Sequence, residues 1–331
     1  MNALPEPYYG TKHGAAYLGD AKEILASGEF DGAVDLIMTS PPFALRRKKD
    51  YGNVEADRYV GWFLQFAELF HRVLRPSGSL VIHIGGSWNR GQPTRSLYHY
   101  ELLVELCRLA EHQFYLAQEF FWFNPARLPT PAEWVTVRRE RVKDAVDCVW
   151  WLSRTPHPKA DNRRVLRPYS ESMEELLRRG YKPMVRPSGH DISTKFGRRN
   201  AGAIPPNLLE IANTESNSRY LRACRQAGVR PHPARYPAAL PRFFVEFLTT
   251  PGDLVLDPFA GSNVTGEVCE KLGRRWVAVD VVEEYLVGSK FRFEEFCVGE
   301  WVNSCGQKCF VVGEDEARYG DATETSPQLN A

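Results

Sequence analysis

Short apolar runs of strand length alternate with amphipathic stretches of helical period, and this pattern predicts an α/β protein with a doubly wound, mostly parallel sheet. Three runs anchor that reading. Val34-Asp35-Leu36-Ile37-Met38 is a buried strand that stops abruptly at Thr39-Ser40-Pro41-Pro42-Phe43, since proline cannot extend a hydrogen-bonded ladder. Asp253-Leu254-Val255-Leu256-Asp257 is a second strand, and the turn Pro258-Phe259-Ala260-Gly261-Ser262 leads from it into a helix. Arg275-Trp276-Val277-Ala278-Val279-Asp280 is a third, and it too closes on an acid.

The remaining elements follow in order. Residues 15–20 form a strand ending at Gly19-Asp20, and 21–27 form a helix leading to the first buried strand. Trp62, Phe63, Phe66, Leu69, Phe70 and Val73 recur at helical spacing and place a helix over 59–74, stopped by Arg75-Pro76-Ser77-Gly78. A strand at 79–84 ends on Gly85-Gly86; a helix over 98–111 and a long apolar strand over 114–123 come next. Val146, Val149, Trp150 and Trp151 mark a strand within 142–153. From 154 to 235 the chain is rich in Pro, Gly, Ser and Asn, with one short helix at 172–179 and otherwise loops. Leu240, Phe243, Phe244 and Phe247 then define an amphipathic helix over 237–248, and the helix after Gly261 covers 267–272. Residues 311–331 are polar and unpatterned, as expected of a disordered tail.

With 331 residues, 43% of them hydrophobic, the chain can bury a substantial core. No apolar stretch is long enough to span a bilayer, and Met1-Asn2-Ala3-Leu4-Pro5 does not begin a signal peptide, so a cytoplasmic location is expected. Seven scattered cysteines suit a reducing compartment, and Cys305 and Cys309, the one close pair, lack the partners of a zinc site. The net charge of +1 conceals a segregation: 154–235 carries 17 Lys and Arg against 7 Asp and Glu, while the remainder is acidic. A cationic module beside an acidic body fits phosphate neutralisation, because each Lys or Arg contact releases counterions from a nucleic acid.

Two sites are written into these strand ends. Gly261 permits a tight turn close to a ligand, Asp257 stands at the carboxyl end of its strand, and Asp280 follows the turn by about twenty residues, the position of a ribose-binding acid. A Gly-rich pyrophosphate cradle is absent, so the expected ligand is a nucleoside without a pyrophosphate. At the other end, Ser40 supplies a hydroxyl, the prolines supply unused carbonyls and Phe43 a flat face, a combination suited to a planar ring bearing an amine.

Together these segments resemble the β-class, permuted, S-adenosylmethionine-dependent DNA amino-methyltransferases, in which the catalytic tetrapeptide precedes the cofactor turn. Ser40-Pro41-Pro42-Phe43 preceded by Thr39 is the cytosine-N4 form of that tetrapeptide. From about residue 17 to about residue 293 the chain is similar to the PvuII-type cytosine-N4 modification methylases. The similarity is most specific over 39–53, Phe121-Trp122-Phe123-Asn124-Pro125, 141–146, 186–191, 203–207 and His232-Pro233-Ala234-Arg235-Tyr236-Pro237. The resemblance implies a seven-stranded, circularly permuted Rossmann-like methyltransferase sheet. Its catalytic half spans 1–153, an irregular target-recognition region 154–235, the cofactor-binding half 236–300 and a C-terminal extension 301–331.

It further implies S-adenosyl-L-methionine as cofactor, double-stranded DNA as partner and a cognate restriction endonuclease acting separately, with the protein associated with a bacterial or archaeal nucleoid. Asp280 would bind the ribose hydroxyls, Asp20 the adenine amine, and Asp257, Pro258, Phe259, Gly261 and Ser262 the methionine portion. The amine lone pair of cytosine is delocalised into the ring. If the Ser40 hydroxyl and the Pro41 carbonyl accept its two hydrogens, the nitrogen gains tetrahedral character, while Pro42 stiffens the turn and Phe43 stacks on the flipped base. Arg46, Arg47, Lys48 and Lys49 are expected to close over DNA, and Arg163, Arg164, Arg167, Lys195, Arg198 and Arg199 to contact phosphates or guanines.

Adenine-N6 transfer uses the same geometry and remains the second reading, and a non-catalytic DNA-binding relative the third. A nicotinamide oxidoreductase is disfavoured by the missing pyrophosphate turn, and cytosine-C5 methylation by the absence of any cysteine after a proline. Some relatives place an acid where this chain has His83. A lone histidine on an apolar strand reads as a core residue rather than a base.

Overall fold

The computed structural model describes residues 3–44, 54–180, 184–185, 191–192, 198–213, 218–293, 299–302 and 308–311. In chain order, β1 (Tyr9–Gly10) and β2 (Gly14–Leu18) lead into α1 (Ala21–Ala26), followed by β3 (Val34–Thr39), α2 (Ala56–Val73), β4 (Leu74–Ile84), α3 (Tyr98–Leu106), β5 (Tyr115–Phe123) and β6 (Val146–Ser153). The central region holds a 3-10 turn at Asn162–Val165, α4 (Glu171–Arg179), the short pair β7 (Met184–Val185) and β8 (Asp191–Ile192), β9 (Leu208–Glu210) and α5 (Arg219–Gln226). Then come α6 (Ala239–Leu248), β10 (Leu254–Asp257), α7 (Val264–Lys271), β11 (Arg275–Asp280), α8 (Glu283–Ser289) and a terminal hairpin of β12 (Gly299–Val302) with β13 (Lys308–Val311).

The main sheet runs β1-β2-β11-β10-β3-β4-β6-β5-β9. Its seven long members match the expected sheet; β1 and β9 add a strand at each edge, and with two and three residues they carry no readable period. From β2 to β4 all neighbours are parallel, and β6 enters antiparallel to both β4 and β5. Successive side chains of a strand point to opposite faces, and the core divides accordingly. Ile37, Leu80, Ile82 and Trp150 face α1, α2 and α3 with Leu25, Phe63, Phe70 and Leu102, whereas Leu36, Met38, Val81, Val149 and Trp151 face α6, α7 and α8 with Phe244, Val268 and Leu286. Among the described residues no helix is long and apolar enough to cross a membrane.

Several elements differ from the sequence reading. Arg75-Pro76-Ser77-Gly78 is a bulge within β4, since Val34 pairs with Leu74 and Leu36 already with Ser79. The 154–235 stretch is also less loop-like than expected. β9 pairs with β5 at the sheet edge, and α5 buries Tyr220 and Cys224 against Phe291. That helix is Arg-rich and shows only one i, i+4 apolar pair, so periodicity did not reveal it; its Ser218 cap accepts from the Leu221 amide. The tail beyond 311 lies outside the described residues.

β3 and β10 are adjacent and parallel, with Leu36 opposite Val255 and Ile37 opposite Leu256. Their carboxyl ends are tied by Thr39 Oγ1, which donates to Asp257 Oδ1 at 2.8 Å in a fully buried setting. Thr39→Val keeps the shape and removes the donor. It should lower the unfolding free energy by about 1–3 kcal/mol in urea titrations.

Candidate active site

A cavity of about 530 Å³ opens at the carboxyl ends of β2, β11, β10, β3 and β4, where ligands of open α/β sheets bind. Its walls include Asp20, Ser40, Pro41, Pro42, Phe43, Pro258, Phe259, Gly261, Ser262 and Asp280. Ten of the eleven residues assigned to catalysis or cofactor binding therefore converge on one hollow. Asp257 is the exception. Its side chain is buried beneath the cavity, with Oδ1 accepting from Thr39 Oγ1 (2.8 Å) and the Phe259 amide (3.2 Å), and Oδ2 from Thr265 Oγ1 (2.8 Å) and the Tyr236 hydroxyl (3.2 Å). Burial pushes its carboxyl above the usual range while these donors pull it back. These contacts let Asp257 brace the floor of the cavity.

Asp280 joins the turn to the helix that follows. Oδ2 accepts from the Gly261 amide at 2.7 Å and Oδ1 from the Val282 amide at 2.9 Å. The Val281 amide adds a third backbone contact, and the carboxylate so fixed lines the cavity wall. Burial raises its carboxyl to about 6, against the lowering effect of these amides. Gly261 sits at φ +53°, and a Cβ there would come within 3.0 Å of the His232 ring, so this position needs glycine for both conformation and space. Ser262 is held by Arg292, which donates to its carbonyl (2.6 Å) and its hydroxyl (3.0 Å). Asn263, also left-handed at φ 54°, caps α7 through the Gly266 amide. Asp20 caps α1 by accepting from the Lys22 amide at 2.8 Å, and its other oxygen lies 3.6 Å from Lys22 Nζ at the cavity wall.

On the catalytic side, Phe43 packs edge-on to His83 with ring centroids 5.2 Å apart. Gly85 makes room for it, since a Cβ there would lie 2.7 Å from Phe43 Cε2. Ser40 Oγ lies 2.9 Å from His83 Nδ1. His83 is thus a cavity residue and not inert core, and Asp147, Arg127, Trp122, Asn124, Asn213, His232 and Tyr236 join it in the lining. None of these was singled out from chemistry. The signal available was the place of several of them in the runs 121–125 and 232–237, where the family resemblance is most specific.

The proposed DNA contacts divide. Arg46 to Lys49 and Lys195 lie outside the described residues. Arg163 and Arg164 do not line the cavity. Both pair with Asp161, and Arg164 also donates to the Thr249 carbonyl, just before β10 enters the sheet, at the end opposite the cavity. Arg167, Arg198 and Arg199 are exposed, with Arg199 paired to Glu174, and none lines the cavity. Among the described residues, the Lys and Arg side chains that line it are Lys22, Arg127 and Arg235.

A nucleoside-sized hollow bounded on one side by a ribose-competent acid and on the other by a proline-stiffened Ser-Pro-Pro-Phe turn defines a methyltransferase-type α/β site. The DNA methylase family model matches residues 34–290, and the chain belongs to that family. Type II methyltransferase M.PvuII of Proteus hauseri is 48% identical over 91% of this chain and 89% of its own length. Type II methyltransferase M.BglII of Bacillus subtilis is 24% identical over 86% and 70%. Among solved structures, the PvuII DNA methyltransferase, described as cytosine-N4-specific, superposes with a TM-score of 0.72 at 43% identity, covering 90% of this chain and 92% of the other. TTHA0409 of Thermus thermophilus, solved with S-adenosyl-L-methionine, shares the fold at a TM-score of 0.52 and 21% identity, with coverage of 86% and 95%.

Gly85→Ala should displace Phe43 while leaving the cofactor wall intact. Turnover is expected to fall by about 10²-fold with cofactor affinity unchanged in calorimetry. For the ribose contact expected of Asp280, the ionised carboxylate is the stronger acceptor. Cofactor affinity should therefore be full above about pH 6 and decline as the pH drops through that value, and calorimetric titrations across the range would check the sign.

Proposed function

We propose that this protein transfers a methyl group from S-adenosyl-L-methionine to the N4 amine of a cytosine flipped out of double-stranded DNA, as the modification half of a restriction-modification system. One observation carries the reading: the Thr39–Asp257 hydrogen bond holds the Ser-Pro-Pro-Phe turn at the lip of the nucleoside cavity, so both reactants meet over two neighbouring strand ends. The family membership and the high identity to M.PvuII support it.

The cofactor supplies a methyl group on a sulfonium, which departs as a neutral thioether. The protein binds and aligns. Asp280 receives the ribose hydroxyls, Asp20 the adenine amine, and the turn through Phe259, Gly261 and Ser262 encloses the methionine portion. Ser40 Oγ and the Pro41 carbonyl accept the two hydrogens of the cytosine amine and localise its lone pair, and Pro42 keeps the turn rigid. Phe43, held against His83, offers its other face to the base. Removal of water from this hollow strengthens each of those hydrogen bonds. Outside the cavity, Arg167, Arg198 and Arg199 remain the described candidates for phosphate contact, and a separately acting nuclease that cuts the same sequence is the expected partner in a bacterial cytoplasm.

Ser40→Ala should reduce turnover by about 10²-fold or more, with DNA and cofactor affinity nearly unchanged, because the lost hydrogen bond matters most as charge develops on nitrogen. Asp280→Ala should instead weaken cofactor binding in calorimetry. Mass analysis of nucleosides from DNA methylated by the protein should show N4-methylcytosine; N6-methyladenine would replace the cytosine reading by the adenine one, and no incorporation would end both.

A further inference from the structure

Methylation of an amine releases a proton, and the roles assigned above leave it without a destination. The Ser40 hydroxyl, 2.9 Å from His83 Nδ1, lies at one end of a chain of side chains. His83 Nε2 lies 3.5 Å from Asp147 Oδ2, an electrostatic contact slightly long for a hydrogen bond, and Nε2 has no closer acceptor. Asp147 in turn is gripped bidentately by Arg127, whose Nη1 donates to Oδ1 at 2.9 Å and whose Nη2 donates to Oδ2. These four side chains come from the end of β3, from β4, from β6 and from the turn after β5, and all four line the cavity. His83 and Asp147 are 5% and 6% exposed, so neither is a solvated surface group.

The surroundings of the imidazole leave little else to exchange protons with. Phe43 and Trp122 pack edge-on at 5.2 and 5.1 Å, and Tyr236 at 6.2 Å. Among the described residues, the titratable or charged groups facing it are Asp147, Tyr236 and, behind Asp147, Arg127. The Tyr236 hydroxyl is engaged with Asp257 and Thr265, and burial pushes it well above its ordinary value. Burial also works to raise Asp147, but its contacts with His83 and its bonds to Arg127 outweigh this and hold the carboxyl well below the usual range. An ionised acceptor facing Nε2 keeps the ring hydrogen on that nitrogen and turns the Nδ1 lone pair toward Ser40.

We propose that His83, oriented by Asp147, is a positioning residue that directs the Ser40 hydroxyl and receives, through it, the proton lost by the methylated amine. The proposal rests on the role given to Ser40 above. The balance is complete: the N4–carbon bond forms as the carbon–sulfur bond breaks and its electron pair stays on sulfur. One N4 proton then passes to Ser40 Oγ as the serine's own proton passes to His83 Nδ1. The resulting imidazolium faces the Asp147 carboxylate and returns its proton to water after the product leaves.

Single-turnover methyl transfer on a methyl-accepting duplex, followed as a function of pH with the full chain, tests this. The wild-type rate should rise with pH along a one-proton acid limb. His83→Asn places a carboxamide oxygen where Nδ1 stood, so it still orients Ser40 but takes no proton; the rate should fall about 10²-fold, the limb should vanish and cofactor affinity should hold. Asp147→Asn should retain the limb but move it to lower pH, since the imidazolium loses its counter-charge. Nitrogen NMR of the wild-type imidazole, which needs no variant to fold, should find the hydrogen on Nε2. An acid limb that survives His83→Asn, or a hydrogen found on Nδ1, would overturn the relay. Ser40→Ala separates the two claims: an undiminished rate there removes the serine role itself, whereas a large loss beside a surviving limb in His83→Asn removes only the histidine.

Discussion

The Asp257 carboxylate is the interaction on which the rest of this site depends. Four donors from four segments meet on its two oxygens: Thr39 at the end of β3, the Phe259 amide in the turn after β10, Thr265 in α7 and Tyr236 ahead of α6. A carboxylate sealed from water is costly unless its lone pairs are taken, and here they are. Because each donor belongs to a different part of the site, one buried charge fixes the relative placement of catalytic turn, cofactor turn and the 232–237 run. This is a geometric role. A single misplaced donor would move a reacting group by a distance that methyl transfer does not tolerate.

Much of the architecture was legible because parallel strands buried on both faces leave near-continuous apolar runs, as in Val34–Thr39 and Arg275–Asp280, and because proline and acid mark their ends. The elements that escaped are those whose identity comes from partners elsewhere. β1 and β9 are strands only because an edge was available, and α5 is a helix mainly because Tyr220 and Cys224 find Phe291. The bulge at 75–78 likewise follows from β4 having to pair with β3 on both sides of a proline.

Within the site the same division holds. Ser40, Gly261 and Asp280 could be named because their chemistry is local, a strand end followed by a turn. Asp257 matches the same pattern, but nothing in its sequence neighbours reveals that Thr39, Thr265 and Tyr236 meet on its oxygens. His83 was set aside because an isolated histidine on an apolar strand carries no information until Asp147, 64 positions later, arrives on the adjacent strand β6. Charge segregation proved coarser still. It marks the 154–235 stretch as cationic without saying where each side chain goes: Arg164 turns back to Asp161 and the Thr249 carbonyl, whereas Arg163 pairs with Asp161 and stays exposed.

The pairing of β3 with β10 joins residues more than two hundred positions apart, as the 218-residue separation of Thr39 and Asp257 shows. During synthesis, β3 and β4 emerge early, and one long side of β3, apolar on both faces, waits without its neighbour until the last third of the chain has left the ribosome. An amino-terminal fragment that ends before β10 therefore lacks half of the centre, and the growing polypeptide passes through a stage with a naked central edge, open to pairing with the wrong strand. Separating the two reacting halves in sequence thus keeps incomplete copies inert, while making the nascent chain dependent on prompt completion or on chaperone cover.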